Sequence, residues 1–354
     1  MKYVTPQQQL DNLKGVNKAE KQHHVKPINS PLYVITTVSN ANRYYSRYKL
    51  YEKFEKMVNE SGAILYTIEL ALRDRHFEMT EYDDPHDIQL RSPSIIWHKE
   101  NLINIALARL PEDWEYVAWV DADISFTRND WANETLHLLQ HYKILQMFSH
   151  CTDLGPNYEP LQTQSGFIFS WRHDLAQPER INNGMHTPGK KAGKGGHWNF
   201  PYPYGKGLWH SGYCWAARRS ALADLGGLGE ISILGSGDHN MACALIGRVS
   251  ESIHGDMQQS FKDYWKEWED RATRSIKRDI GYMPGTIVHH FHGSKKFRGY
   301  VDRWKILVEE KFDPNLDLKK DVQGVLTLTD RNIELRDSIR AYFGSRNEDD
   351  IRVD

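Results

Sequence analysis

Residues 115–126, EYVAWVDADISF, run apolar and then stop at two aspartates with one alanine between them. In an extended chain, residues i and i+2 point to the same side. The carboxylates of Asp121 and Asp123 can therefore approach one point, where they repel unless positive charge lies between them. Hard oxygen ligands of this kind suit Mg2+ or Mn2+, and such an ion keeps positions open for phosphate oxygens. A polar strand end is the alternative reading. A further carboxylate, Asp238, follows Gly235-Ser236-Gly237 and opens a helical pattern, which puts it at a turn; a plain helix cap is its alternative. Three histidines crowd into VHHFHG, residues 288–293. On a strand, His290 and His292 share one face and His289 takes the other.

The flanking segments supply elements to hold these groups. PLYVITTVSN (31–40) reads as a strand, RYYSRYKLYEKFEKMVNESG (43–62) as a helix stopped at Gly62, and AILYTIELAL (63–72) as a second strand. Strand, helix, strand is a βαβ unit, hence a parallel sheet. A helix over 94–110 stops at Pro111. In the next strand Val117, Ala118, Trp119 and Val120 are apolar on both faces, as in a central parallel strand. Asn129 or Asp130 caps the helix that follows, and KILQMFS (143–149) is a strand. Residues 173–209 form a long Gly-, Pro- and Lys-rich loop. Strand and helix resume over 208–228. Helices are expected at 235–247, 260–277 and 300–312, a strand at 285–293, and a solvated charge run at SRNEDD. In open α/β sheets ligands gather beyond the carboxyl ends of the strands, where Asp121 and Asp123 sit.

Composition narrows the function classes. A chain of 354 residues, 40% hydrophobic and 26% charged, can build one large domain or two modest ones. The formal charge of -2 gives no global basic field for nucleic acid. Eleven Trp and eighteen Tyr suit sugar faces, and equally a core of large side chains. Cys151, Cys214 and Cys243 form no CxxC pair, which argues against a disulfide framework or zinc knuckle and fits a reducing compartment. No apolar run is long enough for a membrane span, and no secretion-signal layout opens the chain. The expectation is a soluble, cytoplasmic protein.

Four segments together, NANRYYSRYKLYEKF, LRSPSIIWHKENLIN, WVDADISFTRNDWANETL and HHFHGSKKFRGYVDRW, resemble predicted glycosyltransferases of tailed bacteriophages and bacteria, within the GT-A class of nucleotide-sugar-dependent enzymes. The resemblance runs over about residues 32–345. It implies an α/β fold with a Rossmann-like, mostly parallel sheet flanked by helices, a long Gly/Lys-rich loop and C-terminal helices. The implied division is a flexible arm (1–29), a GT-A domain (30–312) with a donor half (30–150) and an acceptor half (151–312), and a helical extension with a charged tail (313–354).

The resemblance also implies roles. Asp123 would bind Mn2+ or Mg2+ on the donor diphosphate, with Asp121 on the ribose or a metal-bound water. His292, beside Gly293, would be a further ligand, with His289 and His290 in reserve. Asp238 would be the general base of an inverting reaction, although SGD stands where many relatives have ED or DD. Thr36, Thr37 and Ser39 would line the nucleoside pocket. Asn40 and Arg43 would meet phosphate at a helix start, Glu69 the base or ribose, and Lys99 the diphosphate. Lys295, Lys296 and Arg298 would close over the leaving diphosphate. Trp209, Ser211, Gly212 and Tyr213 would seat the sugar or acceptor. Lys190, Lys191 and Lys194 lie in the loop that would order over the donor or touch DNA phosphates. The implied partners are a nucleotide sugar and an acceptor hydroxyl on a glycan or a hydroxymethylated phage DNA base. The alternatives are a nucleotidyltransferase, which SNANRYY lacks the glycines for, and a non-catalytic glycan-binding protein.

Overall fold

The computed structural model describes residues 30–173, 209–299 and 303–353. The expected arm over 1–29 and Lys190, Lys191 and Lys194 lie outside the described residues. The first unit forms as its pattern dictates. β1 (Leu32–Ser39) leads into helix Tyr45–Ser61, whose Tyr51, Phe54 and Val58 are buried at helical spacing. Gly62 ends that helix at φ 78, in the left-handed region that a side chain disfavours. β2 (Ile64–Leu72) returns parallel to β1. β3 (Asp87–Ser92) then adds parallel to β2. Its sequence, DIQLRS, offers only Ile88 and Leu90 as an apolar face, so no strand stands out there.

Helix Lys99–Leu107 is shorter than the apolar pattern over 94–110. The Trp97 N–H donates to the Ile233 carbonyl at 2.7 Å, which draws the preceding residues out of the helix. β4 (Tyr116–Val120) pairs parallel with β1 and carries the aspartates at its end. The chain continues through β5 (Ile124–Phe126), helix Trp131–Leu138, β6 (Ile144–Gln146), β7 (His150–Leu154), β8 (Pro160–Ser165) and helix Phe167–Arg172. β9 (Cys214–Arg218) is followed by helices Arg219–Leu225, Gly237–Leu245 and Gln259–Ser275, then β10 (Ile280–Tyr282) and β11 (Thr286–His289). Helices Arg303–Glu309 and Pro314–Asp317, the hairpin of β12 (Leu318–Lys320) and β13 (Leu326–Leu328), and helix Ile333–Ser345 complete it.

The seven-stranded sheet runs β10-β6-β9-β4-β1-β2-β3. It is parallel except at β9, which lies antiparallel to β4 and β6. Helices cover it, as expected for α/β. Alternation along the central strands feeds two cores. Tyr33, Ile35, Val117 and Trp119 pack on the side of Phe261, Trp265 and Trp268. Leu32, Val34, Ala118 and Val120 pack on the side of Phe54 and Trp131. A second sheet, β5-β11-β7-β8, stands at the carboxyl end of β4.

Two expectations need correction. The strand over 285–293 ends at His289. The SRNEDD run is not simply a solvated tail, because Arg346 and Glu348 are buried. Glu348 is compatible with burial because Arg47 and Arg346 pair with it.

Candidate active site

Asp123 and the histidines meet because β5 pairs antiparallel with β11, with Ile124 opposite His289. The His290 N–H then donates to the Asp123 carbonyl at 2.8 Å, and the chain turns there. That turn brings His292 back beside His289 rather than leaving it on the opposite face. The Nε2 of His292 lies 3.0 Å from Asp123 Oδ2, and the Nε2 of His289 lies 3.9 Å from the same oxygen. The two Nε2 atoms are 3.3 Å apart. His290, a reserve candidate, instead meets the Ser125 hydroxyl at 2.8 Å.

The opposite nitrogens are held by carboxylates. His289 Nδ1 faces Asp153 Oδ1 at 2.9 Å, and His292 Nδ1 faces Glu348 Oε2 at 3.2 Å. A carboxylate accepts, so each Nδ1 carries the hydrogen and each Nε2 presents its lone pair to Asp123. Two lone pairs and a carboxylate oxygen at this spacing call for a positive charge. Arg298 Nη2 lies 3.0 Å from His292 Nε2 and 3.4 Å from its Nδ1, so a guanidinium already contacts this ring. Asp123 Oδ1 is buried with no hydrogen-bond partner. The three candidate ligand atoms lie within 4.8 Å of one another. They fit a divalent cation, and two imidazoles beside one carboxylate suit Mn2+ better than Mg2+. Burial pushes the His289 ring down to about 4, which keeps it neutral as a ligand. Burial would raise the Asp123 carboxyl, but His292, His289 and Arg47 close beside it hold it well below the usual carboxylate range.

The other aspartate of the pair points elsewhere. Asp121 pairs with Lys99 and is not among the three grouped ligand atoms. Burial pushes its carboxyl up to about 6, against Lys99 and with the repulsion of Asp123. Lys99 stays charged despite burial because Asp121, Asp238 and Glu100 surround it. Burial likewise pushes Glu100 up to about 8, with Lys99 opposing and Asp238 adding to the rise.

Asp238 sits in the first turn of its helix, after Gly235 at φ 89 and Ser236 at φ 73. Its Oδ1 accepts the His239 N–H at 2.8 Å, while Ser236, not Asp238, holds the cap position of the helix. Its Oδ2 lies against Gly212, where a Cβ would come within 2.2 Å. A glycine at 212 is therefore what lets this oxygen reach the cleft. Tyr213, at φ 72, gives its carbonyl to the Asp121 N–H at 2.8 Å and stacks on His210 at 3.8 Å. Trp209 stacks on His239 with ring centroids 5.4 Å apart. Ser211 gives its carbonyl to Trp215 Nε1 at 2.8 Å.

A cleft of about 1200 Å3 joins these groups. Thr37, Ser39, Asn40, Lys295, Lys296 and Arg298 line it, and so do Trp209, Ser211, Tyr213 and Asp238. Asn40 closes the turn before helix Tyr45–Ser61, exchanging hydrogen bonds with the Tyr44 backbone at 2.8 and 2.9 Å. Lys295 rests on Asp153.

Three expected donor contacts are placed differently. Thr36 is 1% exposed, and its hydroxyl donates to the Val120 carbonyl at 2.8 Å, tying β1 to β4. Glu69 is buried, and its carboxylate accepts from Glu78 N, Met79 N and Thr80 Oγ1 at 2.7 to 3.0 Å. Arg43 pairs with Glu78 at 2.5 Å on the surface. None of these three is among the cleft-lining residues. Arg47, Asp153 and Glu348 carry site contacts that the motif reading missed, and Glu100 and His210, beside Lys99 and Ser211 in the segments it singled out, carry contacts for which it gave no role. Arg47 lies in the first turn of helix Tyr45–Ser61, whereas Arg43 stands before that helix at φ 57, so helical spacing from Arg43 gave no signal for Arg47; Asp153 and Glu348 had none either.

The solved structures it resembles include two complexes of a galactosyltransferase and one protein bound to a nucleotide sugar. One is the catalytic domain of Drosophila β1,4-galactosyltransferase 7 in complex with xylobiose, at 12% identity, 60% of this chain, 59% of that chain and a TM-score of 0.29. Another is S. aureus TarS 1-349 in complex with UDP-GlcNAc, at 11% identity, 61% and 53% coverage and a TM-score of 0.35. A third is a mutant of the Drosophila enzyme with manganese, UDP-Gal and xylobiose, at 10% identity, 86% and 98% coverage and a TM-score of 0.36. The chain thus spans between half and three fifths of the length of the first two. No family model and no curated protein matches the chain.

Proposed function

We propose that this chain is a metal-dependent glycosyltransferase that moves a sugar from a nucleoside-diphosphate donor to an acceptor hydroxyl, with inversion at the anomeric carbon. The observation that carries the proposal is the convergence of Asp123, His289 and His292 in a cleft that also holds Asp238. A bound Mn2+ would supply charge stabilisation for a departing diphosphate. The chain's own cations, Lys295, Lys296 and Arg298, line the same cleft and offer further positive charge to the phosphates. Lys99 holds Asp121 in place beside them. Asp238, just after the turn at Gly235-Ser236, would accept the acceptor's proton on the Oδ2 that lies against Gly212. As that proton leaves, the acceptor oxygen bonds the anomeric carbon and the bond to the diphosphate oxygen breaks. Trp209 lines the same cleft beside Asp238, with one ring face stacked on His239.

The decisive experiment is a thermal-shift screen of nucleoside diphosphates and nucleotide sugars with and without Mn2+, followed by product analysis. Mn2+-dependent stabilisation and release of a nucleoside diphosphate support the proposal. Release of pyrophosphate from a triphosphate assigns a nucleotidyltransferase instead. Sugar binding indifferent to chelator and to Asp123→Ala assigns a non-catalytic binding protein.

A further inference from the structure

The segment after helix Ile333–Ser345 makes three kinds of contact with the metal side of the cleft. First, Asp349 accepts the Tyr45 and Ser46 N–H groups at 2.9 and 2.8 Å. These are orphan donors of the first turn of helix Tyr45–Ser61, and Tyr44 supplies no side-chain cap. A residue from the far end of the chain therefore caps this helix. Second, Ser46 Oγ donates to the Glu348 carbonyl at 2.9 Å, which fixes the backbone beside the cap. Third, the segment lies directly on Gly293. A Cβ there would fall 2.3 Å from the Asn347 carbonyl oxygen and 2.7 Å from Glu348 Cα, and Gly293 itself is at φ 82. The glycine that follows His292 is what allows so close an approach.

This docking buries the Glu348 carboxylate, at 4% exposure. Its Oε1 accepts from Arg346 Nη2 at 2.7 Å, and its Oε2 accepts from Arg47 Nε. The same Oε2 lies 3.2 Å from His292 Nδ1. Two arginines are enough to neutralise one carboxylate, so the imidazole contact calls for its own account. It sits on the ring nitrogen opposite the one that faces Asp123, as Asp153 does for His289. Each histidine of the cluster thus has its own carboxylate. One comes from β7, the other from a residue whose partner Arg47 is 301 positions away.

We infer that Glu348 is a positioning residue of the metal centre: it holds the His292 ring in the Nδ1–H form, with the Nε2 lone pair directed at the cation position. This rests on the metal reading of Asp123, His289 and His292. A carboxylate on the outer nitrogen of a ligating histidine fixes the tautomer and raises the basicity of the inner nitrogen, and its loss typically weakens metal affinity by about 10- to 100-fold.

The test is a Mn2+ titration of the full chain, without nucleotide, read by the electron-paramagnetic-resonance signal of free Mn2+. Glu348→Gln and Glu348→Ala are expected to weaken binding within that range, the alanine variant more, while Glu60→Gln on the exposed side of helix Tyr45–Ser61 leaves it unchanged. The 15N shifts of the His292 ring, assigned by their loss in His292→Ala, report the tautomer in the unaltered chain and cover the case in which a Glu348 variant does not fold. They are expected to show a protonated Nδ1. Wild-type affinity in both Glu348 variants, or an unprotonated Nδ1, overturns the inference and leaves the metal reading standing. A wild-type chain whose Mn2+ uptake does not depend on Asp123 overturns both.

Discussion

The Nε2 atoms of His289 and His292 face each other at 3.3 Å, and both look toward Asp123 Oδ2. Lone pairs in this arrangement are relieved by a shared cation. Mn2+ is therefore expected to raise the melting temperature and a chelator to reverse the rise. A ligand at a hundred times its Kd stabilises by about 2.7 kcal/mol. His289→Ala and His292→Ala should each remove the effect, whereas His290→Ala, whose ring bonds Ser125, should keep it. Calorimetry with each variant checks this.

Asp238→Asn should lower kcat by about a hundred- to ten-thousand-fold, the span of general-base catalysis, with Mn2+ binding intact. Gly212→Ala should act on the same group by contact. Its new Cβ would meet Asp238 Oδ2 at 2.2 Å and force that carboxylate to turn. Steady-state kinetics beside a Mn2+ titration would separate the two sites. A Gly212→Ala enzyme with full turnover would remove Asp238 Oδ2 from the reaction.

Glu100 sets a pH dependence of stability. Burial raises its carboxyl from 4.5 to about 8, so between those values the folded chain holds a proton that the unfolded chain has lost. Stability from this group is full below pH 4.5 and falls as pH rises through about 8. Asp121, raised to about 6, acts in the same direction. Buried His98, His210 and His239, lowered to about 4, 3 and 4, act oppositely and lose their contribution in acid. The difference between the wild type and Glu100→Gln isolates the one carboxyl. Melting temperatures across this range should fall more steeply with pH in the wild type.

Thr36 and Glu69 should behave as structural residues. Thr36→Val removes a buried hydrogen bond and leaves the Val120 carbonyl without that donor, at a cost of about 1–3 kcal/mol. Glu69→Gln weakens three bonds to the 78–80 turn. Denaturant melts should register both losses, with KM for the donor unchanged. A raised KM with unchanged stability would return either residue to the nucleoside pocket.

Much of the scaffold could be read from local pattern. The first βαβ unit, the stop at Gly62 and the two-faced apolar strand before Asp121 follow from spacing alone. β3 did not stand out because DIQLRS buries little. The histidine pairing depended on where β11 ends, and nothing in VHHFHG marks that point; the His290 bond to the Asp123 carbonyl does. Glu348 looked like part of a solvated run because its neighbours in sequence are polar. Its neighbours in space, Arg47 and His292, are not sequence neighbours at all.

The far-end cap supplied by Asp349 to helix Tyr45–Ser61 has a kinetic corollary. The surroundings of the candidate cation pocket draw on residues from 47 to 348, so they close only after contacts of very large sequence separation have formed, a late and slow event by topology. Cation capture during refolding would then trail the recovery of secondary structure, and a chain clipped after residue 345 would regain its sheets before, or without, regaining tight uptake of the ion.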